Sequence, residues 1–194
     1  MKNKWLISLI TMFSWFLTSC SAREFIPLEN IANVKAHSVY DGDTFKVKLA
    51  SQIYSIRLFG VDCPEMNRQN FYAQKWANLA KQFTAKWLEE KAFKITYFTD
   101  DVYQRKVCCV CDNDNNELAY ELVKNGYAIV SYVELNKAND MFYVANENLK
   151  DLYYKLKKIE GYAFKNKLGL WSDYQHIQEI YEADKVNNLS IWMD

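Results

Sequence analysis

Asp41-Gly42 stands between two runs of β-favouring residues, Val34 to Tyr40 and Thr44 to Leu49, and constrains this chain more than any other short feature. An Asp-Gly step is a strong hairpin signal, because glycine accepts the positive φ that a tight turn asks for. A third run, Gln52 to Val61, follows at once, so three strands succeed one another through short turns. Phe93 to Phe98 and Val107 to Cys111 read as two more strands, and Tyr127 to Val133 as a brief extended stretch. Between them, Trp76, Leu79, Ala80, Phe83, Trp87 and Leu88 repeat at helical spacing and predict a helix over residues 71–90. A shorter helix fits Glu117 to Lys124, with Gly126 in the position a C-cap prefers. The longest pattern places Ala145, Leu149, Leu152, Leu156, Ile159 and Ala163 on one apolar stripe. Five short strands with interleaved helices predict an α+β fold, a five-stranded OB-type Greek-key β-barrel with about three packed helices. Composition alone does not select that barrel over other α+β folds.

Half of the 194 residues are hydrophobic and only five are glycine and two proline, so the chain can build a core. Collagen-like and disordered readings are excluded. Lys plus Arg equals Asp plus Glu, 24 each, which leaves no bulk charge field to attract nucleic acid or an anionic membrane. Any polyanion binding must come from a local patch. The two histidines, His37 and His176, are far apart in the chain, which argues against a multi-histidine zinc site. Cys108, Cys109 and Cys111 crowd into one strand and read as small apolar residues of a sheet. The lysines between residues 147 and 167 read as a solvated helix face.

The N-terminus reads as a leader. Lys2 and Lys4 precede the uncharged, mostly apolar stretch Trp5 to Leu17, which is too short to span a bilayer and matches a secretory h-region. Leu17-Thr18-Ser19-Cys20 resembles the lipobox of bacterial lipoproteins. That resemblance implies a signal peptide over residues 1–19, lipidation of Cys20, and a lipid-anchored tether over 20–32. The product would then sit outside the cytoplasm, attached to a bacterial membrane. The alternative is cleavage after Ala22 and a soluble secreted protein. The main domain spans 33–172, with a C-terminal extension over 173–194, and is expected to be a monomer.

The charged residues that stand out lie at strand ends and turns: Asp41, Asp43, Arg57, Asp62, Glu65 and Arg105. Carboxylates on adjacent strand ends can converge on a hard cation such as calcium or magnesium. Arginines beside them offer planar forks for a phosphate. Each residue also has a plainer reading. Asp41 and Asp43 can serve only the turn, Arg57 and Asp62 can be a structural ion pair, Glu65 can cap a helix, and Arg105 can be solvated. Arg57 and Asp62 are five apart, which puts them on opposite faces of a straight strand unless Gly60 marks a bulge.

Tyr40-Asp41-Gly42-Asp43-Thr44, Arg57-Leu58-Phe59-Gly60-Val61-Asp62-Cys63-Pro64-Glu65 and Asp101-Val102-Tyr103-Gln104-Arg105 resemble, in order and spacing, the staphylococcal nuclease family. Leu122 to Ala128 and Leu168 to Ser172 resemble its later landmarks. The resemblance implies an OB-type barrel that hydrolyses phosphodiesters of DNA and RNA with calcium. It implies Asp43 and Asp62 as carboxylate ligands and Cys63 as a ligand through its backbone carbonyl. It further implies Glu65 as the general base or water-orienting group, Arg57 and Arg105 on the phosphoryl oxygens, and Tyr103 and Tyr132 as substrate contacts. Two positions depart from the family pattern. Val102 stands where a lysine is expected, and Glu134 replaces a second substrate-facing tyrosine. The rival reading is a non-catalytic nucleic-acid-binding surface lipoprotein of the same fold.

Overall fold

The hairpin at Asp41-Gly42 forms, and it organises the sheet around it. In the computed structural model, residues 31–182, 185 and 186 are described. The expected signal peptide, Cys20 and nearly all of the tether lie outside the described residues. Strands β1 (Ile31–Val34), β2 (Ala36–Val39), β3 (Thr44–Leu49) and β4 (Gln52–Leu58) lead to a two-residue strand β5 (Val61–Asp62). Helix α1 (Phe71–Glu90) follows, then β6 (Phe93–Asp100), β7 (Lys106–Asp112), α2 (Leu118–Lys124) and β8 (Ile129–Val130). Helix α3 (Glu147–Lys165), a 3-10 segment (Gly169–His176) and a short α4 (Ile177–Ile180) are the last elements among the described residues.

The main sheet has six strands in the order β1-β6-β7-β4-β3-β2, and β5 pairs with β8 in a separate ladder. All main-sheet pairs are antiparallel except β4 with β7. The two edge strands, β1 and β2, are consecutive in the chain with Lys35 alone between them. The sheet therefore curls into a half-barrel. The single strand expected over Val34 to Tyr40 is two strands, because β1 pairs with β6 while β2 pairs with β3. That break accounts for six main-sheet strands in place of five. The fourth helix arises beyond the last sequence landmark.

Glycine 42 is needed for a different reason from the one the Asp-Gly signal implies. Its φ is not positive. A Cβ there would lie 2.5 Å from Cys63 Sγ and 2.7 Å from Ala80 Cβ, so the turn is pressed against β5 and α1 with no room for a side chain. Thr84 of α1 donates its hydroxyl to the Gly42 carbonyl at 2.5 Å and locks this contact. Gly60, by contrast, does sit at φ +73°. It ends β4 and turns the chain into β5, which a residue with a Cβ resists at this angle.

The interior between sheet and helices is filled by Phe45, Ile56, Phe93, Ile95, Leu122 and Leu156, all fully buried. Helix α1 starts on Asn70, whose side chain accepts from the Ala73 amide at 2.7 Å as an N-cap should. Helix α2 ends in a Schellman pattern at Gly126, where the Gly126 and Tyr127 amides donate to Val123 and Leu122. Glu160 of α3 is fully buried and accepts from the Val130 amide at 2.6 Å. This contact fixes β8, and hence the Tyr132 segment, against α3. The lysines of α3 are in part paired along the helix, Lys150 with Glu147 and Lys157 with Glu160. Cys63, Cys108, Cys109 and Cys111 are free thiols.

A second core unites α1 with the C-terminal segment. Trp76, Ile129, Ala163, Leu170, Trp171, Ile177, Ile180, Tyr181 and Val186 pack together, so the residues after 172 contribute to the interior.

Candidate active site

Register brings the charged residues together. Thr44 on β3 is the cross-strand partner of Arg57 on β4, and Arg57 in turn faces Val107 on β7. Asp43 immediately precedes Thr44, and Arg105 lies just before β7, so both arrive beside Arg57 from neighbouring strands. The Gly60 turn then swings Asp62 back toward the same guanidinium. The result is a buried cluster: Asp41, Asp43, Arg57 and Asp62 are each at most 7% exposed.

Arg57 bridges the two carboxylates. Its Nη1 pairs with Asp43 Oδ1, and its Nη2 reaches Asp62 Oδ1 at 3.1 Å and the Val61 carbonyl at 3.0 Å. Asp43 Oδ1 also accepts from Thr44 Oγ1 at 3.0 Å, and its Oδ2 accepts from the Cys63 amide at 2.5 Å. Asp41 does serve the turn, since its Oδ1 takes the amides of Asp43 and Thr44 at 3.1 and 2.7 Å. Burial pushes the Asp41 carboxyl up against the pull of Arg57. Glu65 is half-buried, and burial together with Asp41 and Asp62 raises its pKa.

Arg105 sits at the edge of this cluster. A turn at Asp101 positions it: Asp101 Oδ1 accepts the amides of Tyr103 and Arg105, and Asp101 Oδ2 accepts Arg105 Nε at 2.6 Å. Arg105 Nη1 reaches Thr44 Oγ1 at 3.5 Å, which links it to Asp43. The Tyr103 ring lies 5.2 Å from the Arg105 guanidinium and is 76% exposed. Val102 beside it is also exposed. Tyr132 adopts φ +60°, an outlier for a bulky residue. Such strain persists only where the surroundings over-determine it. Here the Tyr132 ring stands against two cations, 5.3 Å from the Arg57 guanidinium and 5.4 Å from Lys185 Nζ. Glu134 turns away from this role and caps its own loop, accepting the Asn136 amide at 2.7 Å.

The sequence pattern misses two members of the cluster. Lys185 Nζ donates to Asp62 Oδ2 at 2.8 Å, and the Tyr181 hydroxyl donates to the Asp62 carbonyl at 2.8 Å. The Asp62 carboxylate raises the Lys185 pKa despite its partial burial. Neither residue lies in a motif or an alternating run, and only the packing of α4 brings them here.

The family model for staphylococcal nuclease homologues matches residues 55–173, more than half of the chain. This chain belongs to the staphylococcal nuclease family. Arg57, Asp62, Glu65, Tyr103, Arg105 and Tyr132 lie inside the matched stretch, while Asp41 and Asp43 precede it. The curled half-barrel with its four helices is consistent with the OB-like fold of that family. An uncharacterized protein of Methanocaldococcus jannaschii is 30% identical over 161 residues, covering 71% of this chain and 70% of that protein. Proteins named probable endonuclease lcl3 are 31% identical over 130 residues in Schizosaccharomyces japonicus and 31% over 127 residues in Komagataella phaffii. The chain spans about half the length of these two, 52% and 51%, and each covers 64% of it.

The donor set of this nuclease-family site fits a hard cation. Asp43 and Asp62 offer carboxylate oxygens to one guanidinium, and oxygen ligands of this kind suit calcium. Among the described residues no cluster of three or more His, Cys, Asp or Glu side chains is arranged to hold a metal. An ion here would accordingly rest on two carboxylates together with main-chain oxygen and water.

Proposed function

We propose that this protein is a calcium-dependent nuclease that hydrolyses phosphodiester bonds of DNA or RNA with little sequence specificity. The observation that carries this reading is the joint placement of Asp43, Arg57 and Asp62 in one buried cluster, with Arg105 at its edge and Glu65 electrostatically coupled to it. A structural ion pair needs one acid and one arginine. This cluster gathers three buried carboxylates, Asp41, Asp43 and Asp62, and it keeps a second arginine at its rim. The family relationship, and the relatives named as probable endonucleases, support the same reading.

Asp43 and Asp62, with the Cys63 carbonyl, would hold calcium. When bound, the ion polarises the phosphoryl group. Glu65 aligns the attacking water and accepts its proton, a task suited to a carboxylate whose pKa burial has raised. Arg57 is fixed by Asp43, Asp62 and the Val61 carbonyl, so it meets a phosphoryl oxygen without reorganising. Arg105 approaches from the Asp101 turn and stabilises the negative charge that grows on the other oxygens. Tyr103 and Tyr132 flank the arginines and receive the sugar-phosphate chain and its bases. A sequence-tolerant reader needs no base-edge contacts, and stacking on exposed aromatics serves every base.

Incubating the purified protein with DNA and with RNA tests this directly. Cleavage is expected in calcium and should vanish on adding EGTA. Magnesium, which demands a tighter octahedral shell and sheds water reluctantly, should support less turnover. Equal rates in calcium-free magnesium buffer would remove calcium from the assignment, and binding without cleavage would favour the non-catalytic reading.

We also propose that the protein is exported and acts as a monomer tethered at Cys20, with residues 20–32 as the tether, 33–172 as the nuclease domain and 173–194 as its extension. The support is the basic, apolar and small-residue order of residues 1–20. Labelled fatty acid should enter the protein and be lost in Cys20→Ser; a soluble product beginning at Arg23 would refute the anchor alone.

A further inference from the structure

We infer that Lys185 is an internal cation that holds the Asp62 carboxylate in place of the divalent ion, so that metal entry requires the Lys185 ammonium to withdraw from it. The inference rests on the reading of Asp62 as a metal ligand and adds a partner that competes for it from within the chain.

Every oxygen of Asp62 is engaged in this structure. Oδ1 accepts from Arg57 at 3.1 Å, Oδ2 from Lys185 Nζ at 2.8 Å, and the carbonyl from the Tyr181 hydroxyl at 2.8 Å. Asp62 itself is 1% exposed, so these contacts replace water entirely. The Lys185 side chain is 15% exposed and its ammonium also faces the Tyr132 ring. Lys185 is not delivered by a loose tail. Tyr181 before it and Val186 after it are both buried in the core formed with Trp76, Ile129, Leu170 and Ile177.

The two cations on Asp62 differ in how readily they leave. Arg57 is held on three sides, by Asp43, Asp62 and the Val61 carbonyl, and its planar fork is rigid. Lys185 is a point charge on a flexible four-carbon stem, which can withdraw without moving the backbone. A carboxylate oxygen that is charge-paired with an ammonium is a poorer ligand until that ammonium goes. A charge-assisted hydrogen bond of this kind is expected to weaken divalent-ion affinity by about tenfold. By linkage, the ion must loosen Lys185 by the same factor. The C-terminal segment thereby couples cation level to the state of the site and to the surroundings of Tyr132.

Calorimetric titration of calcium into the full chain and into Lys185→Met and Lys185→Arg tests this. Methionine keeps the apolar stem against Tyr132 and removes only the charge. The Met variant should bind calcium about tenfold more tightly than the parent, and the Arg variant should not. Amine acylation of the parent, read by mass spectrometry, gives a second measurement that needs no variant to fold. Lys185 should react slowly in EGTA and several-fold faster in saturating calcium, while Lys75, paired with Asp173, stays constant. Unchanged or weaker calcium binding by the Met variant, or Lys185 labelling that ignores calcium, overturns the inference and leaves the metal site standing. Absence of any calcium binding in parent and variants overturns the metal site itself, and this inference with it.

Discussion

Arg57→Ala should lose turnover by about 10²–10³, the usual effect of removing one preorganised donor from a developing negative charge. The same substitution should also destabilise the fold by about 3–5 kcal/mol, because it strands Asp43 and Asp62 as buried charges without their shared partner. Both expected effects come from one geometry: the guanidinium is fixed between the two buried carboxylates. Turnover on DNA in calcium and the midpoint of urea unfolding measure the two separately. Arg105→Ala is the informative contrast. Its ion pair with Asp101 is partly exposed, at 29% and 17% for the two side chains, so stability should change by no more than about 1 kcal/mol while turnover falls. A folded Arg57→Ala protein with near-parental turnover would reduce Arg57 to a structural ion pair.

Glu65→Gln should lower turnover by about 10²–10⁴, the range expected when a positioned proton acceptor is lost. Its effect on stability should run the other way from that of Arg57→Ala. Burial, followed by the charges of Asp41 and Asp62, raises the Glu65 pKa. The folded protein therefore holds this proton more tightly than the unfolded chain does, and ionising Glu65 costs folding free energy as pH rises above the usual carboxylate range. Glutamine keeps the shape and removes that cost, so the variant should be as stable as the parent at neutral pH or more so. Kinetics and urea unfolding at pH 7 read both quantities. Parental turnover in Glu65→Gln would eliminate Glu65 as the base. A loss of stability that tracks the loss of activity would make its role structural.

These two variants probe residues that stand in a readable motif, and the fold around them was readable to a similar depth. The stripe from Ala145 to Ala163 marks α3 because an amphipathic helix must repeat near 3.6 residues, and α1 is legible over Phe71–Glu90 for the same reason. Strands β3, β4, β6 and β7 follow from short β-favouring runs bounded by turns. The Asp41-Gly42 step correctly marks a hairpin, yet the reason for its glycine is tertiary: Cys63 and Ala80 crowd the Cα. Nor does the β-favouring run itself show that the chain breaks at Lys35, since its first half pairs with the distant β6 and its second half with the neighbouring β3.

The chain's own pattern therefore marked the principal strands and the long helices, and the resemblance of its motifs picked out the acids and arginines that the fold gathers, because both depend on spacing along a few consecutive residues. Tertiary structure decided the rest. It settled that Arg57 bridges Asp43 and Asp62, which a straight-strand parity rule places apart and the positive-φ turn at Gly60 brings together. It also decided that Tyr181 and Lys185, more than a hundred residues beyond Asp62, complete that residue's hydrogen bonds. Contacts between residues so far apart are set by how the C-terminal helix packs on α1, Ile129 and Leu170, a property of buried surfaces that no local spacing encodes.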